Sequence, residues 1–261
     1  EKRARTVKLA DGVDPQLIRA GMLKKDGSPK SPKQKEVFDL LSESNAEMST
    51  ADICAFIPGA SSAIKALIDK GYITEAGRET YRDPYAGRIP PRTMPLTLSA
   101  AQADVLEKIS AAMDRREGTI LLHGVTGSGK TEVYMQAIAK VLDEGGSAIV
   151  LVPEISLTPQ AMDRFRGRFG EQVAVLHSRL SPGERYDEWR RIRLGKAKVV
   201  LGARSAVFAP LENIRLIVVD EEHEQSYSSE MTPRYSAIEV AQKRCKLNGG
   251  VLLLGSATPV S

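Results

Sequence analysis

Aromatic residues make up only 5% of this 261-residue chain, and cysteine occurs just twice, at Cys54 and Cys245. Two cysteines so far apart give neither a disulfide framework nor a zinc cluster. They point to a reducing compartment, with both thiols acting as small buried hydrophobes. Long uncharged apolar runs are also missing. The longest, residues 148–152 and 216–219, are strand-sized, which excludes a membrane span. No secretory pattern opens the chain. An excess of one charge is missing too: 37 Lys and Arg against 33 Asp and Glu leave a net +4. That surplus permits a polyanionic partner but excludes a protein that holds nucleic acid by bulk charge alone. What remains, 42% hydrophobic and 27% charged, is the composition of a core-forming chain. With no initiator methionine and an end just past a strand-like run, the chain is expected to be a piece of a longer protein.

Glycines and prolines punctuate residues 1–30, and 24–29 has turn composition, so this stretch is expected to be a connector. Ser31-Pro32 reads as a helix start, followed by Val37, Leu40 and Leu41 on one face. Ser49 is positioned to cap a second short helix, and Ile64, Leu67 and Ile68 mark a third. Residues 72–74 and 79–81 flank Ala76-Gly77 as a hairpin. Three helices and a hairpin form the winged-helix pattern over 31–82; a helical spacer or a protein-docking module is the alternative. Lys65 and Lys70 suit phosphate contacts, although exposed lysines on a helix also form ordinary solvated faces. Residues 83–97, rich in Pro and Arg without periodicity, are expected to be an exposed linker, open to proteolysis at Arg82, Arg88 and Arg92. From 98 to 261 apolar strands alternate with helices, the pattern of an α/β domain with a parallel sheet covered on both faces.

Gly124, Val125, Thr126, Gly127, Ser128, Gly129, Lys130 and Thr131 fit the phosphate-loop pattern GxxxxGK[ST], after a strand and at the start of a helix. Glycines let backbone N–H groups converge on phosphates, and the helix N-terminus adds its dipole. Lys130 would reach the β- and γ-phosphates of ATP, and Thr131 would hold Mg²⁺. Residues 216–219 run as an apolar strand into Asp220 and Glu221. In a phosphate-loop protein, Asp220 is placed to bind Mg²⁺ and Glu221 to polarise the attacking water, so Lys130, Asp220 and Glu221 are the expected catalytic residues. Gly255-Ser256-Ala257-Thr258-Pro259 follows another strand, at the ligand edge of such a sheet. Segments 151–160 and 202–208 also leave strands, and in helicases these positions follow single-stranded nucleic acid. Arg204 and Ser205 are suitable phosphate donors there.

The set GVTGSGKTEVY, LVPEISLTPQ, LHSRLSPGER, GARSAVFAP, DEEHEQSY and GSATP resembles the family of bacterial replication-restart helicases, the PriA or primosomal protein N′ family, from about residue 96 onward. The winged-helix stretch resembles it more loosely. The resemblance implies an ATP- and Mg²⁺-dependent 3′-to-5′ DNA helicase that acts at stalled forks and D-loops in primosome assembly, in the bacterial cytoplasm. It implies a first RecA-like lobe, with the second lobe, its arginine finger and its zinc-binding cysteines elsewhere, so that zinc is expected for the full-length family only. Implied partners are forked, single-stranded and duplex DNA, single-strand-binding protein and primosome proteins. Gln102 is implied to contact adenine. Residues 224–235 are implied to be an aromatic-rich loop coupling DNA to the ATP site through Tyr227 and Tyr235. The chain departs from the family pattern at Ser228, Thr232 and Ile238. A small-molecule kinase or signalling NTPase is the competing enzyme class; a DNA-binding and docking module is the non-enzymatic alternative.

Overall fold

The computed structural model describes residues 5–44, 47–76, 90–125, 127–229, 232 and 234–257. The chain divides into two compact units, residues 1–86 with 179–190, and residues 87–178 with 191–261.

In the first unit, β1 (Thr6–Leu9) and α1 (Pro15–Gly21) precede α2 (Pro32–Ser44), β2 (Met48–Ser49), α3 (Thr50–Phe56), α4 (Ala60–Asp69) and β3 (Ile73–Ala76). Asp14 caps α1 by accepting from the Gln16 and Leu17 amides, with Pro15 in the first turn. The Ser49 hydroxyl caps α3, as its position predicts. The expected connector is therefore not one: residues 6–9 form the middle strand of an antiparallel sheet ordered β2-β1-β3, with Val7 opposite both Met48 and Glu75. A four-residue strand whose partners lie 41–43 and 64–70 residues away leaves no periodicity to detect. β3 pairs with β1; the second arm of the expected hairpin, 79–81, lies outside the described residues, as do Arg82 and Arg88. Helices and sheet enclose Phe38, Leu40, Leu41, Ile53, Leu67 and Ile73, all essentially inaccessible. Each such side chain contributes about 1.5–3 kcal/mol by leaving water.

The second unit contains α5 (Ala100–Arg115), β4 (Thr119–His123), α6 (Lys130–Asp143), β5 (Ser147–Leu151), α7 (Pro159–Phe169) and β6 (Val173–Leu176). After α8 (Pro182–Arg193) it continues with β7 (Val199–Gly202), β8 (Ile214–Val219), the short β9 (Ser228–Ser229) and β10 (Tyr235–Ser236), α9 (Ala237–Asn248) and β11 (Val251–Ser256). Six strands form a parallel sheet ordered β4-β11-β8-β5-β7-β6. Central β5 is buried throughout, with alternate residues feeding the cores on the two faces, as the unbroken apolar run predicts. Cys245 is buried in one of them, and burial pushes its thiol up to about 12. No helix among the described residues is long and apolar enough to cross a membrane.

Two boundaries differ from expectation. Residues 179–190, expected inside the second domain, group with the first unit. Tyr186 is buried in the first unit's core, and Phe56 meets the Tyr186 and Trp189 rings edge-on at 5.5 Å. Gly183 fits against the end of α2, where a Cβ would come within 3.2 Å of the Ser44 amide. The expected linker, in turn, packs on the second unit over 91–96. The Thr93 amide donates to Gly167 O, Arg168 donates to Met94 O, and the Leu96 amide donates to Glu132. Proline-rich composition signals extended chain but not whether that chain is free.

Candidate nucleotide site

The phosphate loop lies between β4 and α6 where the sequence places it, with Thr126 outside the described residues. Gly127 and Gly129 both have φ of +83°, a conformation that glycine adopts without strain. Gly129 is the N-cap of α6, so the amides of the first turn open toward the loop. Lys130 is nearly buried; its Nζ donates to Gly124 O at 2.6 Å and lies 3.5 Å from Glu221 Oε1. Ser99 and Gln102 form a capping box at the start of α5, and Gln102 Nε2 donates to Ser128 O at 2.8 Å. Gln102, expected at the adenine, is here a brace under the loop. The Ser-x-x-Gln spacing signals the capping box but not the contact with Ser128.

β8 delivers Asp220 and Glu221 to the same place. The Tyr134 hydroxyl donates to Asp220 Oδ1 at 2.9 Å, and the Asp220 amide donates to Leu151 O. Burial pushes the Asp220 carboxyl above the usual carboxylate range, the neighbouring Glu221 charge pushes it the same way, and Tyr134 and Lys130 oppose them. Glu221 adopts φ of +49°, a sparsely populated conformation for a non-glycine residue, of the kind that clusters at functional sites. Its Oε2 accepts from the Ala257 amide at 3.3 Å, and Ser256 O accepts from the Gly124 amide. The end of β11 and Ala257 thus tie the loop to the acidic pair; Thr258 and Pro259 lie outside the described residues.

The phosphate loop and the acidic pair line a cavity of about 530 Å³, within the range of small-ligand sites. Val125, Gly127, Ser128, Gly129, Lys130, Thr131, Asp220 and Glu221 contribute to it. So do Met94 and Leu96, which the sequence did not single out. They are held by the buried Arg168–Glu132 ion pair, 3.0 Å apart. An acidic residue in a helix's first turn is commonplace, so Glu132 gave no signal. Thr131 and Asp220 bring a hydroxyl and a carboxylate, the hard oxygen donors that suit Mg²⁺. Among the described residues no group of three or more His, Cys, Asp or Glu could hold a metal.

The remaining expected residues lie elsewhere. Arg204 and Ser205 begin a 3-10 turn after β7, with Ser205 exposed. Arg204 donates to Ser226 O at 3.3 Å and Ser228 O at 2.5 Å, and its guanidinium lies 5.7 Å from the Tyr235 ring centre. Tyr235 is half-buried and meets exposed Phe208 edge-on at 4.9 Å. Tyr227, expected as a DNA contact, is 2% exposed, and its hydroxyl donates to Asp220 O at 2.5 Å. Its ring packs in the core and offers no face to an outside base; sequence alone did not distinguish it from Tyr235. In the first unit Lys65 and Lys70 are exposed, and Lys70 donates to Gln34.

The pattern of the family described as "Type III restriction enzyme, res subunit" matches residues 95–261. Replication restart protein PriA of Bacillus subtilis is 51% identical over 235 residues, 89% of this chain and 29% of that protein. Its Synechocystis counterpart is 45% identical over 87% of this chain and 27% of that protein. The chain therefore spans less than a third of the length of these two relatives. Among solved structures, that of RecG bound to a three-way DNA junction aligns with TM-score 0.50 at 24% identity, over 66% of this chain and 24% of that one. At that identity the likeness shows the fold alone: a parallel sheet with flanking helices. The chain belongs to the family of the type III restriction enzyme res subunit, and over most of its length it is similar to the replication restart proteins PriA.

Proposed function

We propose that the chain is the ATP-binding part of a replication-restart DNA helicase. The observation that carries this is the convergence of Lys130, Thr131, Asp220 and Glu221 on one cavity beside a glycine-shaped loop, with Glu221 tied to the Ala257 amide. When ATP enters, Lys130 exchanges Gly124 O for the β- and γ-phosphates. Thr131 and Asp220 would hold Mg²⁺, which would supply neutralising charge at the phosphates. Glu221, free of Lys130, orients the attacking water and accepts its proton. Met94 and Leu96 give the cavity an apolar wall that suits a purine.

Single-stranded DNA would pass over the loops after β5 and β7, where Ser205, Phe208 and the half-buried Tyr235 offer hydroxyl and aromatic contacts. Arg204 then serves chiefly to hold the 225–229 loop. Lys65 and Lys70 offer the first unit, as a winged-helix module, a contact to duplex phosphates. Movement 3′-to-5′ at forks and D-loops, in the bacterial cytoplasm and with single-strand-binding and primosome proteins as partners, completes the proposal. It is supported by the similarity to the PriA proteins.

The test is nucleotide binding and DNA-stimulated ATPase by this chain beside a full-length relative. The chain should bind Mg·ATP and turn it over slowly, since a catalytic arginine supplied from elsewhere is worth about 10³–10⁵ in rate. Absence of Mg-dependent nucleotide binding would overturn the proposal.

A further inference from the structure

We propose that Tyr134 is the positioning residue of the metal-side carboxylate. Its hydroxyl fixes one oxygen of Asp220 so that the other is presented to nucleotide-bound Mg²⁺, and Gly255 is glycine because this bond needs the space. The inference rests on the nucleotide assignment above and deepens it.

Tyr134 follows Lys130 by four residues, so both project from the same stripe of α6. Lys130 reaches up into the loop, while Tyr134 reaches the end of β8. Tyr134 is 1% exposed. A buried ring at that position is ordinary packing that phenylalanine would satisfy equally; the hydroxyl is not, because a buried phenol requires a partner. An ionised carboxylate only accepts, so Tyr134 is the donor in the 2.9 Å contact. Holding Oδ1 selects one carboxylate rotamer, the usual task of a group behind a metal ligand.

Gly255 gives the independent observation. A Cβ built there would fall 1.9 Å from the Tyr134 hydroxyl oxygen and 2.8 Å from Asp220 Oδ1. The close approach is specific to this bond, since the nearest atom is the phenol oxygen itself. The glycine of the Gly-Ser-Ala-Thr element is thereby accounted for by the hydroxyl of the phosphate-loop helix, and three separate sequence elements meet on one carboxylate oxygen.

The test is equilibrium binding of N-methylanthraniloyl-ADP to the 261-residue chain across a Mg²⁺ series, alongside thermal unfolding. Tyr134→Phe should bind metal-free nucleotide as the parent does and need about 10–100-fold more Mg²⁺ to reach tight binding, the usual cost of losing a group behind a metal ligand. Gly255→Ala should lower the unfolding temperature. Adding Tyr134→Phe to it should raise that temperature again, because the nearer of the two clashing oxygens is gone and Asp220, no longer held, can turn away. Unchanged Mg²⁺ dependence in Tyr134→Phe, or equal loss of metal-free binding, would overturn the inference while leaving the nucleotide site intact. A double variant less stable than Gly255→Ala alone would overturn the role of the glycine. Failure of the parent chain to respond to Mg²⁺ at all would overturn the nucleotide assignment, and this inference with it.

Discussion

The loops leaving β4, β8 and β11 and those leaving β5 and β7 share one sheet edge, yet they are finished in opposite ways. In the first set polar groups are already paired: Lys130 with Gly124 O and Glu221, Asp220 with Tyr134, the Gly124 amide with Ser256 O. In the second set Ile155 is 84% and Phe208 56% exposed, and Ser205 faces solvent. A small, highly charged ligand gains from groups fixed beforehand, because rearranging them would offset its binding energy. A long polymer gains instead from many weak, tolerant contacts, with stacking on exposed rings among them.

The largest expected effect tests whether the nucleotide side is held as firmly as this contrast implies. Arg168→Ala would leave Glu132 buried without its counter-ion, held only by Gln136 and the Leu96 amide, and would unmoor Met94, so it should cost about 3 kcal/mol in denaturant unfolding. A loss under ~1 kcal/mol would place the firmness elsewhere. Next is Lys130→Ala. Losing a hydrogen bond to a charged group, worth about 1.5–3 kcal/mol, should weaken Mg·ATP binding about 10–100-fold. Glu221→Gln should keep binding and lose hydrolysis, because it acts on the water and not on the ground-state phosphates. Equal loss of binding in both variants would end that division. On the polymer side Phe208→Ala should lower single-strand affinity by about 1 kcal/mol in fluorescence anisotropy and leave nucleotide affinity alone. Loss of both together would erase the contrast.

The smallest effect is on pH dependence. Burial would raise the Glu132 carboxyl, but its bonds from Arg168, Gln136 and the Leu96 amide hold it below the usual carboxylate range. Its stabilisation is therefore complete at neutral pH and is lost as pH falls through the ordinary carboxylate pKa toward the lowered one. Glu132→Gln should flatten the acid limb of thermal unfolding. An unchanged limb would show that other carboxylates set it.

The sequence made legible whatever is local or periodic. The alternation from residue 98 predicted the parallel sheet, and Gly124–Thr131 and Asp220-Glu221 predicted the cavity that the structure assembles. What it did not show depends on partners far along the chain. β1 is four residues long and is defined by Met48 and Ile73–Ala76. Tyr134 carries no signal until Asp220 arrives from 86 residues away, and Tyr227, expected as a DNA contact, is turned inward by its bond to Asp220 O. Residues 91–96 have linker composition, and only the surface of α6 and α7 shows that they are fastened.

The placement of residues 179–190 sets a timetable for synthesis. The first unit's core includes Tyr186, so a nascent chain that has reached residue 86 still lacks a piece of that core. At ~5–20 residues per second, the ribosome needs roughly 5–20 s more to deliver it. During that interval Phe56 has neither Tyr186 nor Trp189 to cover it, and the first unit can be finished only after residues 87–178 of the second have been made.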